Sequence, residues 1–184
     1  SRVYIAMNRR FYNSTIELKN QLKKLNIFSA KFDFTERIHF IENNNYPKEV
    51  LKKWVYSNSI HLIDLFFFIM GDYKSMNTKI FGIKNKKWHE SSSIFIGDGI
   101  IKNGIPFSYI TDWNSPGRWG ITINTNKKQF ILSPLEELKF MSPKSFKIYN
   151  YNFKDDNDEK FKPGLYKMIN SFMNNNFENF QTLI

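Results

Sequence analysis

The sequence predicts an α+β domain: a large, mostly antiparallel open sheet with helices packed on one face, entered through an initial β-α-β crossover. Three features carry this reading. The chain opens with strand-like alternation, then helical spacing, then alternation again. Residues Ile60 to Met70 are apolar on almost every side. After Gly71, short β-type runs follow one another between turn residues.

In chain order, Arg2 to Phe11 (RVYIAMNRRF) places Val3, Ile5 and Met7 on one face of a strand that ends in two arginines. Asn13-Ser14-Thr15 offers side-chain caps to a helix with Ile16, Leu18, Leu22 and Leu25 near helical spacing, ending about Asn26. Ile27 to Thr35 alternates Phe28, Ala30, Phe32 and Phe34 with polar residues, a half-buried strand. Strand, helix, strand implies a crossover with the two strands parallel. Glu36 to Tyr46 reads as a polar loop, and Pro47 as the first position of a helix running to about Tyr56.

Trp54 to Asp72 (WVYSNSIHLIDLFFFIMGD) is the stretch around which the chain is organised. A helix apolar all round is a buried helix, and Gly71 stops it. Ser57-Asn58-Ser59 supplies caps, which would set His61 within a turn of the helix N-terminus. That positive end favours a neutral imidazole, able to accept a proton near pH 7. The structural alternative is a buried histidine satisfied by a backbone carbonyl.

Beyond Gly71 the strands are Ser75 to Ile83, Ser92 to Lys102, Ile105 to Trp113, Trp119 to Asn124 and Gln129 to Leu132. Asn103-Gly104 is a type I′ hairpin signal, and Thr125-Asn126-Lys127 joins a second pair. Gly97-Asp98-Gly99 reads as a bulge or bend, since no helix follows it. Glu137 to Met141 and Phe146 to Phe153 complete or flank the sheet. DDNDE, residues 155–159, is an acidic loop, and Pro163 to Asn174 is an amphipathic closing helix. Ile94, Ile96, Phe107, Tyr109, Ile121 and Ile123 supply apolar positions on both sheet faces. The face opposite the helices is therefore expected to pair two-fold with another copy.

No repeat or linker divides the 184 residues, so residues 1–184 form one domain. A hydrophobic share of 41%, with nineteen Phe and nine Tyr, excludes disorder. The longest apolar run, Leu65 to Met70, is too short to cross a membrane. The chain has no cysteine, so it has no disulfide framework and no thiolate metal site, which fits the cytoplasm. It shows no signal-peptide pattern, and Ser1 leads almost directly into a strand, which suggests a fragment of a longer protein. The net charge of +10 is spread over single lysines and pairs (Lys23-Lys24, Lys52-Lys53, Lys86-Lys87, Lys127-Lys128) with no nucleic-acid motif beside them, so nucleic acid is not an expected partner. Gly-rich phosphate loops, HExxH, GxSxG and paired metal-ligand spacings are missing, and no metal site is expected.

Asn8-Arg9-Arg10-Phe11, then His61-Leu62-Ile63-Asp64 at the start of the buried helix, then the antiparallel strands, together resemble the C-terminal domain of the glucose-fructose oxidoreductase/inositol dehydrogenase/MocA (Gfo/Idh/MocA) family. The resemblance covers nearly the whole chain, and HLID is its most specific piece. WNSPGRWG (Trp113 to Gly120) and FKPGLY (Phe161 to Tyr166) look like a branch associated with surface-sugar biosynthesis. The resemblance implies the substrate-binding and oligomerisation domain of an oxidoreductase acting on a sugar, sugar nucleotide or polyol. NAD or NADP would be bound mainly by an N-terminal Rossmann domain that these residues do not include. The partners implied are that domain, a sugar-type small molecule, and further copies in a homodimer or homotetramer.

The resemblance also assigns roles. His61 would assist proton transfer on the substrate. Four residues earlier the family usually has an aspartate where this chain has Ser57, which can orient the imidazole but adds no charge, or the hydrogen bonds are rearranged around Asn58. Asn8 and Arg9 match substrate-contacting positions; the alternative for Arg9 is a surface cation at a strand end. Arg118 and Trp119 match the end of the pocket, where a guanidinium and an aromatic face suit a sugar ring with a phosphate or carboxylate; the alternative is a packing pair at the sheet edge. Lys162-Pro163 does not replace the family's catalytic Glu-Lys-Pro segment, because its proline reads as the first residue of the last helix. A catalytically silent sugar-binding or scaffolding relative is the second functional reading.

Overall fold

The computed structural model describes residues 2–82, 88–89, 93–153 and 156–183. Among the sequence expectations, Ile83 and Ser92 at two strand ends, the Lys86-Lys87 pair and Asp155 lie outside the described residues. The chain runs through β1 (Tyr4–Ile5), a 3-10 turn at Asn8–Phe11, α1 (Asn13–Leu22), β2 (Ile27–Phe34), α2 (Ile38–Asn43) and α3 (Lys48–Lys52). A π-helical turn at Val55–Ser59 leads into α4 (Ile60–Met70). The strands β3 (Tyr73–Phe81), β4 (Ile94–Ile101), β5 (Pro106–Asp112), β6 (Gly120–Thr125), β7 (Gln129–Leu132), β8 (Lys139–Met141) and β9 (Tyr149–Asn150) follow. Last come α5 (Asp156–Lys160), α6 (Leu165–Met173) and β10 (Gln181–Thr182).

The α+β architecture is as the sequence predicts. Eight strands lie in the order β3-β4-β5-β2-β6-β7-β8-β9, and every neighbouring pair is antiparallel except β2 with β5. Register sets the core. Phe107 and Tyr109 of β5 lie beside Ala30 and Phe32 of β2, which lie beside Ile123 and Ile121 of β6, and these face Phe130 and Leu132 of β7. With a side-chain period of two, all of them point the same way. They bury against Leu62, Leu65 and Phe66 of α4 and Leu18 and Leu22 of α1. The Phe66 ring meets Phe32 at 4.6 Å and Phe107 at 5.4 Å between centroids. Each such side chain contributes about 1.5–3 kcal/mol through burial.

The same register divides the six apolar candidates between the two sheet faces. Phe107, Tyr109, Ile121 and Ile123 all belong to the inner face and are buried. The outer face carries Lys31 beside Ser108 and Thr122, and a ladder in which Asn124 donates to Ser29 and Gln129 donates to Asn124. Its apolar part runs over Phe81, Ile94, Ile96, Ile100 and Ile110 of β3, β4 and β5, with Ile131 and Met141 further along the sheet.

Several local expectations change. The first strand is only two residues long and pairs antiparallel with β10 in a separate ribbon, so the N-terminal strand-helix-strand order does not place its first strand in the main sheet. Asn8–Phe11 winds into the 3-10 turn because Arg10 is drawn inward: its guanidinium is paired with Asp64 of α4, through Nε at 2.8 Å and Nη2, and Nη2 also donates to Gln181 at 2.8 Å. Ser14 and Thr15 do not cap α1, since their hydroxyls donate to the Leu135 and Arg9 carbonyls. The stretch expected to be a polar loop holds α2, whose Ile38 and Ile41, three apart, are buried. Pro47 precedes α3 as its N-cap instead of entering it.

The acidic stretch forms α5, and its Asp158 accepts from the Gly164 amide, which makes Gly164 the N-cap of α6 and leaves Pro163 outside that helix. The Asn103-Gly104 hairpin is not a type I′ turn. Gly104 donates to the Ile101 carbonyl across Lys102 and Asn103, and only Gly104 has positive φ, the pattern of a type I turn closed by a left-handed glycine.

Gly97 and Gly99 do not make a bulge. Both stay in register between β3 and β5, directly opposite Tyr109 and Phe107. A Cβ on Gly97 would fall 2.5 Å from Tyr109 Cζ, and one on Gly99 2.6 Å from Phe107 Cζ. These glycines let two large rings lie across the strand. Gly97→Ala is therefore expected to cost about 2 kcal/mol or more, read as a lowered midpoint in urea unfolding. A midpoint within error of the parent would show that the rings can step aside.

Candidate functional site

A cleft of about 410 Å³ opens where the 3-10 turn, the segment following β2, the π turn and the loop between β5 and β6 converge. Arg9, Asn58, Arg118 and Trp119 line it, together with Glu36, Arg37, Tyr46 and Glu136, which the sequence reading did not single out.

At its base lies Glu36, buried at 3% exposure just after β2. Ser59 Oγ donates to one carboxyl oxygen at 2.6 Å and Asn58 Nδ2 to the other at 2.8 Å. The consecutive residues Asn58 and Ser59 belong to the π turn, a device often found at functional sites. Burial raises the Glu36 carboxyl above its ordinary value, while the hydrogen bonds from Ser59 and Asn58, the nearby Trp54 indole and the Arg9 charge act against that rise. The Trp54 indole nitrogen is itself buried without a hydrogen bond.

Arg9 and Arg10 are neighbours with opposite fates. In a 3-10 turn successive side chains leave at about 120°. Arg10 faces inward to Asp64, whereas Arg9 lies over the Trp119 ring at 4.7 Å. Trp119 is held by its own indole N–H, which donates to the Thr35 carbonyl at 3.2 Å. Burial lowers the Arg9 pKa from its ordinary value, and Tyr12, Glu136 and Glu36 oppose that lowering. Arg118 is exposed on the cleft wall, in the loop that follows the buried Trp113.

The other predicted residues lie outside the cleft lining. Asn8 donates to the Pro163 carbonyl at 3.0 Å, tying the 3-10 turn to the entry of α6. A Cβ on Gly164 would meet Tyr12 Cδ1 at 2.8 Å, so the glycine of FKPGLY permits this close seating. Ser57 Oγ donates to the carbonyls of Lys53 and Val50, and makes no bond to His61. His61 is half-buried. Its Nδ1 is buried without a hydrogen bond, which leaves Nε2 as the nitrogen open to a partner. The expected helix N-terminus is absent there, because the π turn runs into α4 without a break. Burial and then Arg9 lower the His61 pKa, Asp64 opposes them, and Lys162 lowers it further. The neutral imidazole expected at pH 7 thus has a different cause. Lys162, 101 positions away in sequence, comes within electrostatic range of His61, next to the Pro163 carbonyl that Asn8 binds.

Among the described residues no group of histidine and acidic side chains could hold a metal ion, and no helix is long and apolar enough to cross a membrane. The described residues also do not fit a dinucleotide pyrophosphate. No glycine turn leads from a strand into a helix N-terminus, and Gly97 and Gly99 lie inside β4 beneath aromatic rings.

No protein-family model matches the sequence, and no curated protein matches it. The fold is that of the C-terminal domain shared by Gfo/Idh/MocA-type oxidoreductases and Gal80p. The super-repressor mutant of Gal80p from Saccharomyces cerevisiae is similar with a TM-score of 0.68 at 15% identity, over 96% of this chain and 53% of that one. The dehydrogenase MviM from Clostridium difficile is similar with a TM-score of 0.68 at 16% identity, over 94% of this chain and 54% of that one. Levoglucosan dehydrogenase, solved with NADH and levoglucosan, is similar with a TM-score of 0.63 at 12% identity, over 95% of this chain and 56% of that one. The chain spans about half the length of these structures.

The buried carboxyl gives a test of the site's electrostatics. A carboxyl raised by burial stabilises the fold fully below its unfolded value of about 4.5, and that contribution is lost as pH rises through the folded value. Glu36→Gln does not titrate. Its melting temperature relative to the parent should therefore climb as pH goes from 4 to 8, and a difference independent of pH would mean that Glu36 keeps an ordinary pKa.

Proposed function

We propose that this chain is the substrate-binding domain of an NAD(P)-dependent oxidoreductase acting on a hydroxyl or carbonyl group of a sugar, sugar nucleotide or polyol, in surface polysaccharide biosynthesis. The observation that carries the reading is the cleft: on a fold shared with levoglucosan dehydrogenase, Arg9, Asn58, Arg118 and Trp119 converge on one concave surface. Trp119 offers an aromatic edge and Arg118 an exposed cation, a combination suited to a ring substrate. His61, neutral at pH 7 with Nε2 open, exchanges a proton with the substrate oxygen. Asn8 positions the 3-10 turn, and Ser57 stabilises the helix beneath it.

A separate Rossmann domain holds NAD or NADP. The length comparison supports this, and so does the apolar face of α6, where Tyr166, Ile169, Phe172 and Met173 remain exposed. The enzyme works in the cytoplasm. A specific observation favours the second reading, a catalytically silent sugar-binding or scaffolding relative. Among the described residues no side chain hydrogen-bonds His61 Nδ1, and Gal80p, described as a transcriptional regulator, shares the fold.

Titration of the chain with monosaccharides, followed by tryptophan fluorescence, should saturate, and Trp119→Leu should abolish the response. NADH should give no saturable signal. A flat sugar titration across the millimolar range would overturn the reading. In the enzyme that carries this domain, His61→Ala should preserve binding and lower turnover about a hundredfold. Unchanged turnover in folded protein would select the silent relative.

The domain self-associates as a dimer or tetramer through the outer sheet face, around Ile96, Ile100 and Ile110. Sedimentation at micromolar concentration should give a species of at least twice 22.0 kDa, reduced to the monomer by Ile110→Lys. A 22.0 kDa species that persists on concentration would exclude this.

A further inference from the structure

Resting on the sugar-site reading above, we infer that the substrate is anionic: it carries a carboxylate or phosphate that docks on the guanidinium of Arg9.

Two adjacent arginines differ in how their guanidinium groups are satisfied. Arg10 is satisfied by Asp64, Gln181 and the Asn179 carbonyl. Arg9, half-buried, makes no hydrogen bond and no ion pair from its side chain to any described residue, and its guanidinium lies over the Trp119 ring. A guanidinium presents five N–H donors in a rigid fork and is never deprotonated, so withdrawing it from water without acceptors is unfavourable. Stacking on an indole offsets part of that cost and leaves the edge of the fork open. The indole is fixed by its bond to Thr35, so the fork is held in place before any ligand arrives.

The two carboxylates nearby do not fill this role. Glu36 already receives Ser59 and Asn58 on its two oxygens, and neither it nor Glu136 comes within ion-pair distance of Arg9. Arg37 and Arg118 also line the cleft, and neither guanidinium makes a hydrogen bond to a described residue. Three guanidinium groups therefore face two carboxylates, one of which is buried and already engaged. A neutral polyol would leave this excess unmatched. A planar carboxylate, or a phosphate, accepts two parallel N–H bonds from the fork and balances the charge. This geometry separates substrates within the proposed class: uronates and sugar phosphates fit, and plain polyols do not.

The experiment compares glucuronate, glucose 6-phosphate and glucose on the 184-residue chain by calorimetry at low and at physiological salt. At least one anionic sugar should bind ten-fold or more tighter than glucose, and its affinity should fall with salt. Carboxylate and phosphate are told apart by which probe binds. Arg9→Gln should remove that preference, and Arg9→Lys, which keeps the charge and loses the fork, should fall between. Circular dichroism melting identifies folded variants, and if Arg9→Gln fails to fold, Arg9→Lys carries the test. Glucose bound as tightly as both anions, or an anion preference untouched by Arg9→Lys and Arg9→Gln, would overturn the inference and leave the sugar-site reading standing. No binding of any of the three at millimolar concentration would overturn both.

Discussion

The ion pair between Arg10 and Asp64 is the constraint on which the arrangement of this domain rests. It joins the start of the chain to the buried helix, and through Gln181 and the Asn179 carbonyl it also joins the C-terminal ribbon. Both side chains are close to fully buried, so removing either would leave an uncompensated charge in the interior, a loss of about 3–5 kcal/mol. The pair fixes the rotation of the 3-10 turn. With Arg10 committed inward, Arg9 is turned towards the cleft and Asn8 towards Pro163.

A second buried acid organises the opposite wall. Glu36 follows the central strand β2, and its two oxygens are occupied by consecutive residues of the π turn. The helix carrying His61 is thereby registered against the sheet by polar contacts as well as by Leu62, Leu65 and Phe66. These two acids differ in consequence. Asp64 meets a full counter-charge in direct contact, whereas Glu36 receives neutral donors and is shifted upward by burial.

The elements that meet at the cleft come from five separate parts of the sequence. Comparable cleft positions on open sheets are supplied by loops and turns held by a rigid scaffold, where side chains can be exchanged without disturbing the core. Here the scaffold is the row of large apolar residues running from Phe107 through Phe32 and Ile121 to Leu132, and the loop carrying Arg118 and Trp119 stands outside it. The likeness to both dehydrogenases and Gal80p belongs to the scaffold. The chemistry belongs to the side chains above it.

The sequence by itself determined the α+β class, the buried helix, most strands beyond Gly71 and the closing helix, because these depend on periodicity within one segment. Alternation in β5 and β7 and the unbroken apolar run of α4 are local signals that no distant contact overrides. Four cleft residues, Arg9, Asn58, Arg118 and Trp119, were also legible, through short motifs. Only the tertiary structure decided the rest. Val3, Ile5 and Met7 alternate like a sheet strand, yet the pull of Asp64 on Arg10 winds the following residues into a turn and leaves β1 to pair with β10. Ser57-Asn58-Ser59 has cap composition, yet Glu36, 22 and 23 residues away from Asn58 and Ser59, draws those two into a continuous helical path. Gly97 and Gly99 resemble a bend until Tyr109 and Phe107 are seen lying across them. In each case a buried charge or a large ring from elsewhere in the chain outweighed a local preference of a few tenths to one kcal/mol per residue.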